Sequence, residues 1–147
     1  MTRLEVHGLV NCANEAGLGG GGLDGCVHRA AGPHLIAECM LLEGIPTGTA
    51  KLTYGYQLPA RWILHAVGPH GENSELLLRT YINVLQLARK HEIRSLAIPC
   101  ISTGIFGYPE DRACRIALNA VLSFIKEGKC PEVIQSKPVL HLWEFLF

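Results

Sequence analysis

The chain has 147 residues, which is enough for one domain with a substantial apolar core. Hydrophobic residues make up 48% of the sequence and charged residues 18%, which excludes the composition of a disordered chain. Thirteen basic and thirteen acidic residues cancel, so no overall charge attracts the chain to nucleic acid or to an anionic membrane. An anionic ligand must therefore be bound by local chemistry.

The six cysteines are spread along the sequence, and none forms a C-x-x-C pair. Without a secretory signal we expect reduced thiols, mostly in the core, in a chain that works in the cytoplasm or the nucleus. The seven histidines are scattered as well, and no group of cysteines and histidines has the spacing of a zinc site. We therefore expect neither a metal nor a cofactor. No apolar run is long enough for a membrane span.

The first third of the chain is predicted to contain one strand and two helices. Gly8 to Cys12 is a short, apolar run that leads into polar, glycine-rich sequence, which is typical of a buried strand followed by a loop. Leu23 to Ala31 is predicted as a short helix that ends at Gly32-Pro33. The next helix is predicted at about His34 to Leu42, with the proline in its first turn.

The middle of the chain is predicted to contain three strands and one long helix. Two strands are expected at about Ala50 to Tyr56 and Arg61 to Val67, and the second is apolar enough to be buried on both faces. A helical repeat of apolar residues runs from Asn73 to about His91. Ser95 to Ile101 is the third strand, and Pro99 should lie near its end because proline lacks a backbone donor.

The last helix is the clearest in the sequence. Pro109 suits its first position, apolar residues recur at three- and four-residue steps as far as Ile125, and Gly128 is placed to end it. Strands that alternate with helices predict an α/β sandwich with a largely parallel sheet. Since the sequence contains no repeat or linker, residues 1–147 are predicted to form a single domain.

Two glycine-rich loops follow buried strands, at residues 14–25 and 102–108. The first contains four consecutive glycines, Gly19 to Gly22. In open α/β sheets, ligands bind beyond the carboxyl ends of the strands, where both loops would lie. Glycine lets backbone N–H groups converge on an anion, and a helix that begins after each loop adds its positive end. Two facing loops would suit a diphosphate; the alternative is that the glycines only make turns.

The sequence argues against several other chemistries. Neither loop contains the Gly-Lys-Ser/Thr of a phosphate-binding NTPase loop or opens a dinucleotide-binding unit, which disfavours nucleoside triphosphate hydrolysis and hydride transfer. Cys100 follows a strand, but no activating histidine is placed by the sequence, so a thiol nucleophile is unfavourable. His65 lies inside an apolar strand and fits a core histidine with satisfied hydrogen bonds better than a catalytic base.

Three other polar or aromatic residues in the loops have two interpretations each. Asp24 stands just before a helix, where it would act as an N-cap or use its carboxylate on a water or a sugar hydroxyl. Asn14 would hydrogen-bond its own loop or present a donor and an acceptor to a ribose diol. Phe106 would belong to the core or form a flat wall for a sugar ring.

The two loops and their flanking sequences resemble the ligand loops of MacroD-type macro domains. The first match is Val10-Asn11-Cys12-Ala13-Asn14 with Gly19-Gly20-Gly21-Gly22-Leu23-Asp24-Gly25 and Cys26-Val27-His28-Arg29-Ala30-Ala31-Gly32-Pro33. The second is Pro99-Cys100-Ile101-Ser102-Thr103-Gly104-Ile105-Phe106-Gly107-Tyr108-Pro109. Shorter stretches between them, such as His65-Ala66-Val67-Gly68-Pro69, match in the same order. The resemblance covers residues from about Arg3 to Gly128, and several motifs in register make it specific.

The resemblance implies a three-layer α/β/α sandwich with a mixed, largely parallel sheet and an ADP-ribose cleft at the strand ends. It also implies a hydrolase that removes mono-ADP-ribose from aspartate and glutamate esters of proteins and deacetylates O-acetyl-ADP-ribose without a metal. The expected partners are ADP-ribose and mono-ADP-ribosylated proteins, with no nucleic acid and no membrane. The alternative is a reader module that binds ADP-ribose without turnover.

The resemblance also assigns roles by position. Asn14 would bind the distal ribose, and Asp24 would orient that ribose and help to activate the attacking water. The residues that would line the diphosphate and the distal ribose are Gly21, Gly22, Ser102, Thr103, Gly104, Ile105, Phe106 and Gly107.

The sequence departs from the family pattern at both ends. Family members usually start with an extra strand whose aspartate reads the adenine amino group, whereas this sequence begins at Met1, just past that place. We therefore expect differences in adenine recognition and in the cover of one sheet edge. The family closes with an apolar strand, but this chain has Pro131 to Pro138 there, and we expect Val139 to Phe147 to replace that strand.

Overall fold

The computed structural model describes residues 1–128 and the backbone of residues 133–136. Strands and helices alternate along most of this length, as predicted. The elements are β1 (Gly8–Cys12), α1 (Gly22–Ala31), α2 (Pro33–Met40), β2 (Thr49–Tyr54), β3 (Trp62–Val67), α3 (Ser74–Lys90), β4 (Ser95–Ile98), α4 (Glu110–Lys126) and β5 (Val133–Ser136).

The strands form one five-stranded sheet in the order β2-β3-β1-β4-β5. The strand β1 pairs in parallel with both β3 and β4, and β4 pairs in parallel with β5. Only β2 is antiparallel, on β3. The sheet is therefore mixed and largely parallel, as predicted, and the carboxyl ends of β1, β3 and β4 meet at one edge.

Helices cover both faces of the sheet, which gives the predicted three layers. Because successive side chains of a strand point to opposite faces, β1 and β3 each supply apolar residues to two cores. Val10 and Leu64 pack with α3 and α4, whereas Leu9 and Ile63 pack with α1 and α2. All four side chains are buried, which explains why these strands read as continuous apolar runs.

Helix ends follow the predicted signals with small shifts. Asn73 caps α3 by accepting a hydrogen bond on Oδ1 from the backbone N–H of Leu76 at 3.0 Å. We expected Pro109 at the first helical position of α4, but it is the N-cap, one residue earlier. Gly128, just past the end of α4, has φ +66° and donates its N–H to the carbonyl of Ile125, as expected of a terminating glycine.

The structure shortens one predicted strand and contains another that was not predicted. The strand β4 ends at Ile98 and not at Ile101, because Pro99 cannot donate to the ladder and the chain turns there. The strand that pairs with β4 is Val133–Ser136, within the segment Pro131 to Pro138, where we predicted no strand. Prolines at positions 131 and 138 bracket this short strand in the sequence. Residues 139–147 lie outside the described part of the chain, in which β5 is an edge strand.

The described cysteines, at positions 12, 26, 39, 100 and 114, are all free thiols. Cys39 is buried, Cys12, Cys100 and Cys114 are half-buried and Cys26 is exposed, so the expectation that most cysteines lie in the core is met in full only by Cys39. Cys130 lies outside the described residues. Over the described residues, no helix combines the length and the hydropathy that a membrane span requires.

Gly25 allows α1 to pack against the loop that precedes it. A Cβ atom at this position would overlap the backbone carbonyl oxygen of Gly20, which cannot move aside as a flexible side chain would. We predict that Gly25→Ala lowers the free energy of unfolding by about 1–3 kcal/mol, measured by urea denaturation. The control is Gly104→Ala, whose Cβ would meet nothing within 4 Å and which should change stability by less than about 0.5 kcal/mol. Equal effects of the two substitutions would contradict this account.

His65 is a fully buried residue of β3, and its environment gives the fold a dependence on pH. Burial, with a smaller contribution from His28, lowers the pKa of His65 to about 3. An unfolded chain would bind a proton here near the ordinary pKa of about 6.5, while the folded chain would not. Stability contributed by the neutral ring is therefore complete above pH 6.5 and is lost progressively as the pH falls toward 3.

We predict a steeper loss of stability on acidification for the unmodified protein than for the His65→Gln variant. The slopes of unfolding free energy against pH should differ by up to about 1.4 kcal/mol per pH unit between pH 6.5 and 3. Urea titrations at a series of pH values measure both slopes. Parallel slopes would mean that His65 takes up its proton without unfolding.

Candidate functional site

A cavity of about 630 Å³ opens where β1, β3 and β4 end, within the size range of small-molecule sites. Both predicted loops contribute to its wall. The predicted residues that line it are Asn14, Gly21, Gly22, Asp24, Ser102, Thr103, Gly104, Ile105 and Phe106. Gly107 does not line the cavity. With φ +70° it makes a turn in which its N–H donates to the carbonyl of Gly104.

The wall also contains residues to which the sequence assigned no role. They come from the strand ends, from the start of α1 and α4 and from the first residue of the chain. These residues are Met1, Cys12, Ala13, Leu23, Ala66, Gly68, Pro99, Cys100, Ile101 and Glu110. Most of them are small or apolar, so their residue types gave no signal that they line a ligand site. Only those at the strand ends could have been inferred, from their position.

Two helices begin at the cavity. Gly21 is the N-cap of α1 and Pro109 is the N-cap of α4, and neither makes a side-chain capping bond. The first N–H groups of a helix have no partner within the helix, and its dipole makes this end positive. The cavity therefore offers backbone donors to an anion at two points, as the glycine-rich loops predicted.

The loops approach each other across the cavity. The Cδ1 atom of Ile105 lies 3.0 Å from the place where Gly21 would carry a Cβ, although the Ile105 side chain is 81% exposed. The second loop is shaped by Ser102, which adopts a left-handed backbone conformation with φ +68° and accepts a hydrogen bond from the N–H of Tyr108. A non-glycine residue in this region is strained, by an amount on the order of 1–3 kcal/mol.

Asp24 is the buried carboxylate of the site. It is the third residue of α1, so it is not the N-cap that one interpretation proposed. Its Oδ1 accepts a hydrogen bond of 2.7 Å from Nδ2 of Asn11 and lies 3.4 Å from Nε2 of His28. Its Oδ2 is buried and has no hydrogen-bond partner among the described residues. A buried acceptor without a partner at the wall of a cavity is suited to a hydroxyl group or a water molecule.

Asn14 is occupied in part by its own loop. Its Oδ1 accepts from the N–H of Gly17 at 3.1 Å, and its Nδ2 donates to the carbonyl of Gly19 at 3.2 Å. This is the first of the two interpretations, a turn held by the side chain. Because an amide nitrogen carries two hydrogens, Asn14 keeps one donor for a ligand at the cavity wall.

Phe106 forms a flat part of the wall and is half buried. Its ring stacks on His70 with centroids 3.6 Å apart, and its carbonyl accepts a hydrogen bond of 2.6 Å from Gly71. The segment after β3 therefore supports the second loop from behind. The ring packs against the buried cluster of Ala13, Ile45 and Val67 and also lines the cavity, so both interpretations of this residue remain open.

Behind Asp24 lies a row of buried polar side chains, of which the sequence analysis considered only His65. Nδ2 of Asn11 lies 3.1 Å from Nδ1 of His65, and Nε2 of His65 lies 2.9 Å from Oγ1 of Thr53. All three residues are at most 1% exposed. The only signal in the sequence was that polar residues interrupt three apolar strands, which alone does not show that they meet. The expectation that His65 has satisfied hydrogen bonds is met.

The fold also gathers three groups that bind metals in other proteins. Ligand atoms of His28, Cys39 and His65 lie within 4.8 Å of one another, although the residues are far apart in the sequence. A metal would need the lone pair on Nε2 of His65 and hence a hydrogen on Nδ1, where the Asn11 amide already donates. Turning that amide would set its oxygen against the Asp24 carboxylate. The hydrogen bonds therefore disfavour a metal here.

The thiols at the cavity wall are poor nucleophiles. Burial raises the pKa of Cys12 and the pKa of Cys100 to about 12, with the neighbouring Cys114 raising the latter further. Both groups are thus protonated at neutral pH, and Cys100 lies 3.6 Å from the sulfur of Cys114 and not beside a histidine. This geometry agrees with the low expectation for thiol chemistry.

Comparison with known proteins gives a consistent picture. The model of the family described as Macro domain matches residues 10–117. The human ADP-ribose glycohydrolase MACROD2 is 50% identical over 134 residues, which make up 87% of this chain and 32% of that protein. The Macro domain-containing protein of Methanosarcina mazei is 48% identical over 139 residues, 91% of this chain and 74% of that protein. The chain thus spans about a third of the length of the human relative.

The solved structures include one with a bound ligand. The crystal structure of the Trypanosoma brucei macrodomain in complex with ADP-ribose has a TM-score of 0.86 and 46% identity, covering 90% of this chain and 58% of that chain. The family match spans most of the sequence, and a relative of similar size shares nearly half of its residues. This chain belongs to the macro domain family.

Proposed function

We propose that this chain is an ADP-ribosyl-acceptor hydrolase. It removes mono-ADP-ribose from aspartate and glutamate esters of proteins and deacetylates O-acetyl-ADP-ribose. The observation that carries the proposal is Asp24, a buried carboxylate at the cavity wall whose Oδ2 has no partner among the described residues. The human relative is an ADP-ribose glycohydrolase, which supports a hydrolytic activity.

The cavity suits the diphosphate and the distal ribose of such a substrate. The free N–H groups at the start of α1 and α4 and the two glycine-rich loops would neutralise the phosphates. Phe106 would pack against the distal ribose, and the remaining amide hydrogen of Asn14 would bind one of its hydroxyl groups. Both contacts would place the scissile ester next to Asp24.

Asp24 would then act on the ribose and on water. Its Oδ2 would accept a hydrogen bond from a ribose hydroxyl or from the attacking water, orienting it toward the ester. Its Oδ1 is held by Asn11, so the carboxylate does not have to reorganise during the reaction. An ester has a good leaving group, so a positioned water and an anchored sugar are sufficient in principle, without a metal.

The alternative is a reader that binds ADP-ribose without hydrolysis. The contacts of Asn14 are compatible with it, because the remaining amide hydrogen would bind the ribose and not the attacking water. A reader needs a complete binding surface but no activated water. The two functions differ in whether a bound modified protein is cleaved.

We predict that ADP-ribose binds with one-to-one stoichiometry in a calorimetric titration and that AMP binds at least about tenfold more weakly. The reason is that the two helix ends and the loops recognise a diphosphate and a second sugar, which AMP lacks. Equal affinities for the two ligands would contradict the assignment of the loops. If a folded protein shows no heat of binding with ADP-ribose, both the hydrolase function and the reader function are contradicted.

We predict that Asp24→Asn lowers the rate of ADP-ribose release from a glutamate-modified protein at least about 100-fold, because the amide cannot activate water as a carboxylate does. Calorimetry should still detect ADP-ribose binding by the variant. The control is Asp111→Asn, which changes an exposed aspartate in the first turn of α4 that does not line the cavity. It should release ADP-ribose at the unmodified rate.

The outcomes separate the two functions. Loss of release in Asp24→Asn with retained binding supports the hydrolase. Equal release rates in the variant and the unmodified protein would overturn the role of Asp24. Binding by the unmodified protein without release during prolonged incubation would select the reader.

A further inference from the structure

Four buried polar side chains from four different elements form a continuous row of hydrogen bonds. The row runs from Thr53 on β2 through His65 on β3 and Asn11 on β1 to Asp24 on α1. The three successive distances between their polar atoms are 2.9, 3.1 and 2.7 Å. Only the last residue lines the cavity, so the other three cannot contact a ligand there.

Starting from Asp24, each hydrogen bond fixes the direction of the one that follows it toward Thr53. The carboxylate of Asp24 only accepts, so the nearer group of Asn11 must be its NH₂. The second hydrogen of that NH₂ points to Nδ1 of His65, which must therefore be the unprotonated nitrogen of the ring. Nε2 then carries the hydrogen and donates it to Oγ1 of Thr53.

The ring of His65 can keep this arrangement because it stays neutral. Burial holds the pKa of His65 near 3, so a second proton does not reach Nδ1 at neutral pH. Sheet register places the ring correctly, since Asn11 pairs with His65 across β1 and β3, while Thr53 is opposite Ile63 and so lies diagonally beside the ring. Cys39 adds a weaker contact at 3.8 Å to the same Nε2.

We propose that Thr53 and His65 are positioning residues for Asp24. Thr53 accepts the hydrogen on Nε2 of His65 and anchors the ring, the unprotonated Nδ1 accepts from the NH₂ of Asn11, and the carboxylate of Asp24 is thereby kept with Oδ2 facing the cavity. If the ring changed tautomer, its Nδ1–H would oppose the amide hydrogen, and the amide would lose its fixed orientation. The effect on catalysis rests on the proposed hydrolase function, but the arrangement of hydrogens does not.

The test uses Thr53→Val, which keeps the shape of the side chain and removes the acceptor of the Nε2 hydrogen. In the unmodified protein, the ¹⁵N spectrum of His65 should show a protonated Nε2 and an unprotonated Nδ1. In the variant, the two nitrogens should exchange character at least in part, and the side-chain amide resonances of Asn11 should shift. Thr53→Ser keeps a hydroxyl and should restore both spectra.

The matched control is Thr80→Val. Thr80 is as buried as Thr53, and its hydroxyl donates to the carbonyl of Leu76 within α3, on the other side of the sheet. Loss of its hydroxyl should leave the resonances of His65 and Asn11 unchanged. Urea denaturation measures the loss of stability in Thr53→Val and in Thr80→Val. If the two losses are similar, a change of the His65 and Asn11 resonances in Thr53→Val alone is due to the hydrogen-bonded row and not to a loosened core.

Kinetics give a second, separate readout. In Thr53→Val, kcat for release of ADP-ribose should fall about three- to tenfold, the scale expected for loss of one ordinary buried hydrogen bond. The dissociation constant of ADP-ribose should stay the same, because Thr53 is not at the cavity wall. Unchanged kcat with an altered tautomer would overturn the positioning role.

The remaining outcomes are also decisive. A hydrogen on Nδ1 of His65 in the unmodified protein, or unchanged Asn11 resonances in Thr53→Val, would overturn the proposal whatever the activity. Zinc ions that bind stoichiometrically and shift the His65 resonances would overturn it in favour of a metal site with Cys39 and His28. If the unmodified protein releases no ADP-ribose from a modified protein, the hydrolase proposal fails, and with it the effect of Thr53 on catalysis. The ¹⁵N spectra then test the arrangement of hydrogens by themselves.

Discussion

The hydrogen bond from Asn11 to Asp24 connects the central strand of the sheet to the helix that begins at the cavity. It is 2.7 Å long and lies in the interior, where solvent does not compete for either group. Loss of this hydrogen bond would leave a buried amide hydrogen and a buried carboxylate oxygen without partners. The free energy of the folded state would rise by roughly 1–3 kcal/mol or more. The position of α1 relative to β1 and the orientation of the carboxylate therefore depend on the same contact. The fold and the site are not separable at this point.

The glycines of the first loop serve that contact as much as they serve a ligand. Gly25 lets the first turn of α1 lie directly on the carbonyl of Gly20. A Cβ on Gly20 would in turn lie 3.1 Å from Nδ2 of Asn14 and 3.3 Å from Oδ2 of Asp24. The loop is thus compressed around the two side chains that the family resemblance assigns to the ribose. These two positions require space that any side chain would fill, and glycine alone leaves it open.

Much of this structure could be predicted from the sequence. The strands β1 and β3 were predicted because each is an apolar run, and α3 because its apolar repeat is regular. The two loops were identified by their glycines, and the site residues predicted in them line one cavity, except for Gly107. The pattern failed where it was short or interrupted: β5 has four residues between prolines, and Pro99 ended β4 earlier than the apolar run suggested. The row from Asn11 to Thr53 could not be predicted, because it depends on the strand order and the sheet register, which no local pattern encodes.

Ile105 has a consequence for the thermodynamics of ligand binding. Ile105 is 81% exposed and lines the cavity. A ligand held between the loops would remove this apolar surface, and part of the Phe106 ring, from water. Removal of apolar surface from water lowers the heat capacity. Binding of even a highly charged molecule would therefore carry a negative heat capacity change, and its enthalpy would become more favourable as the temperature rises.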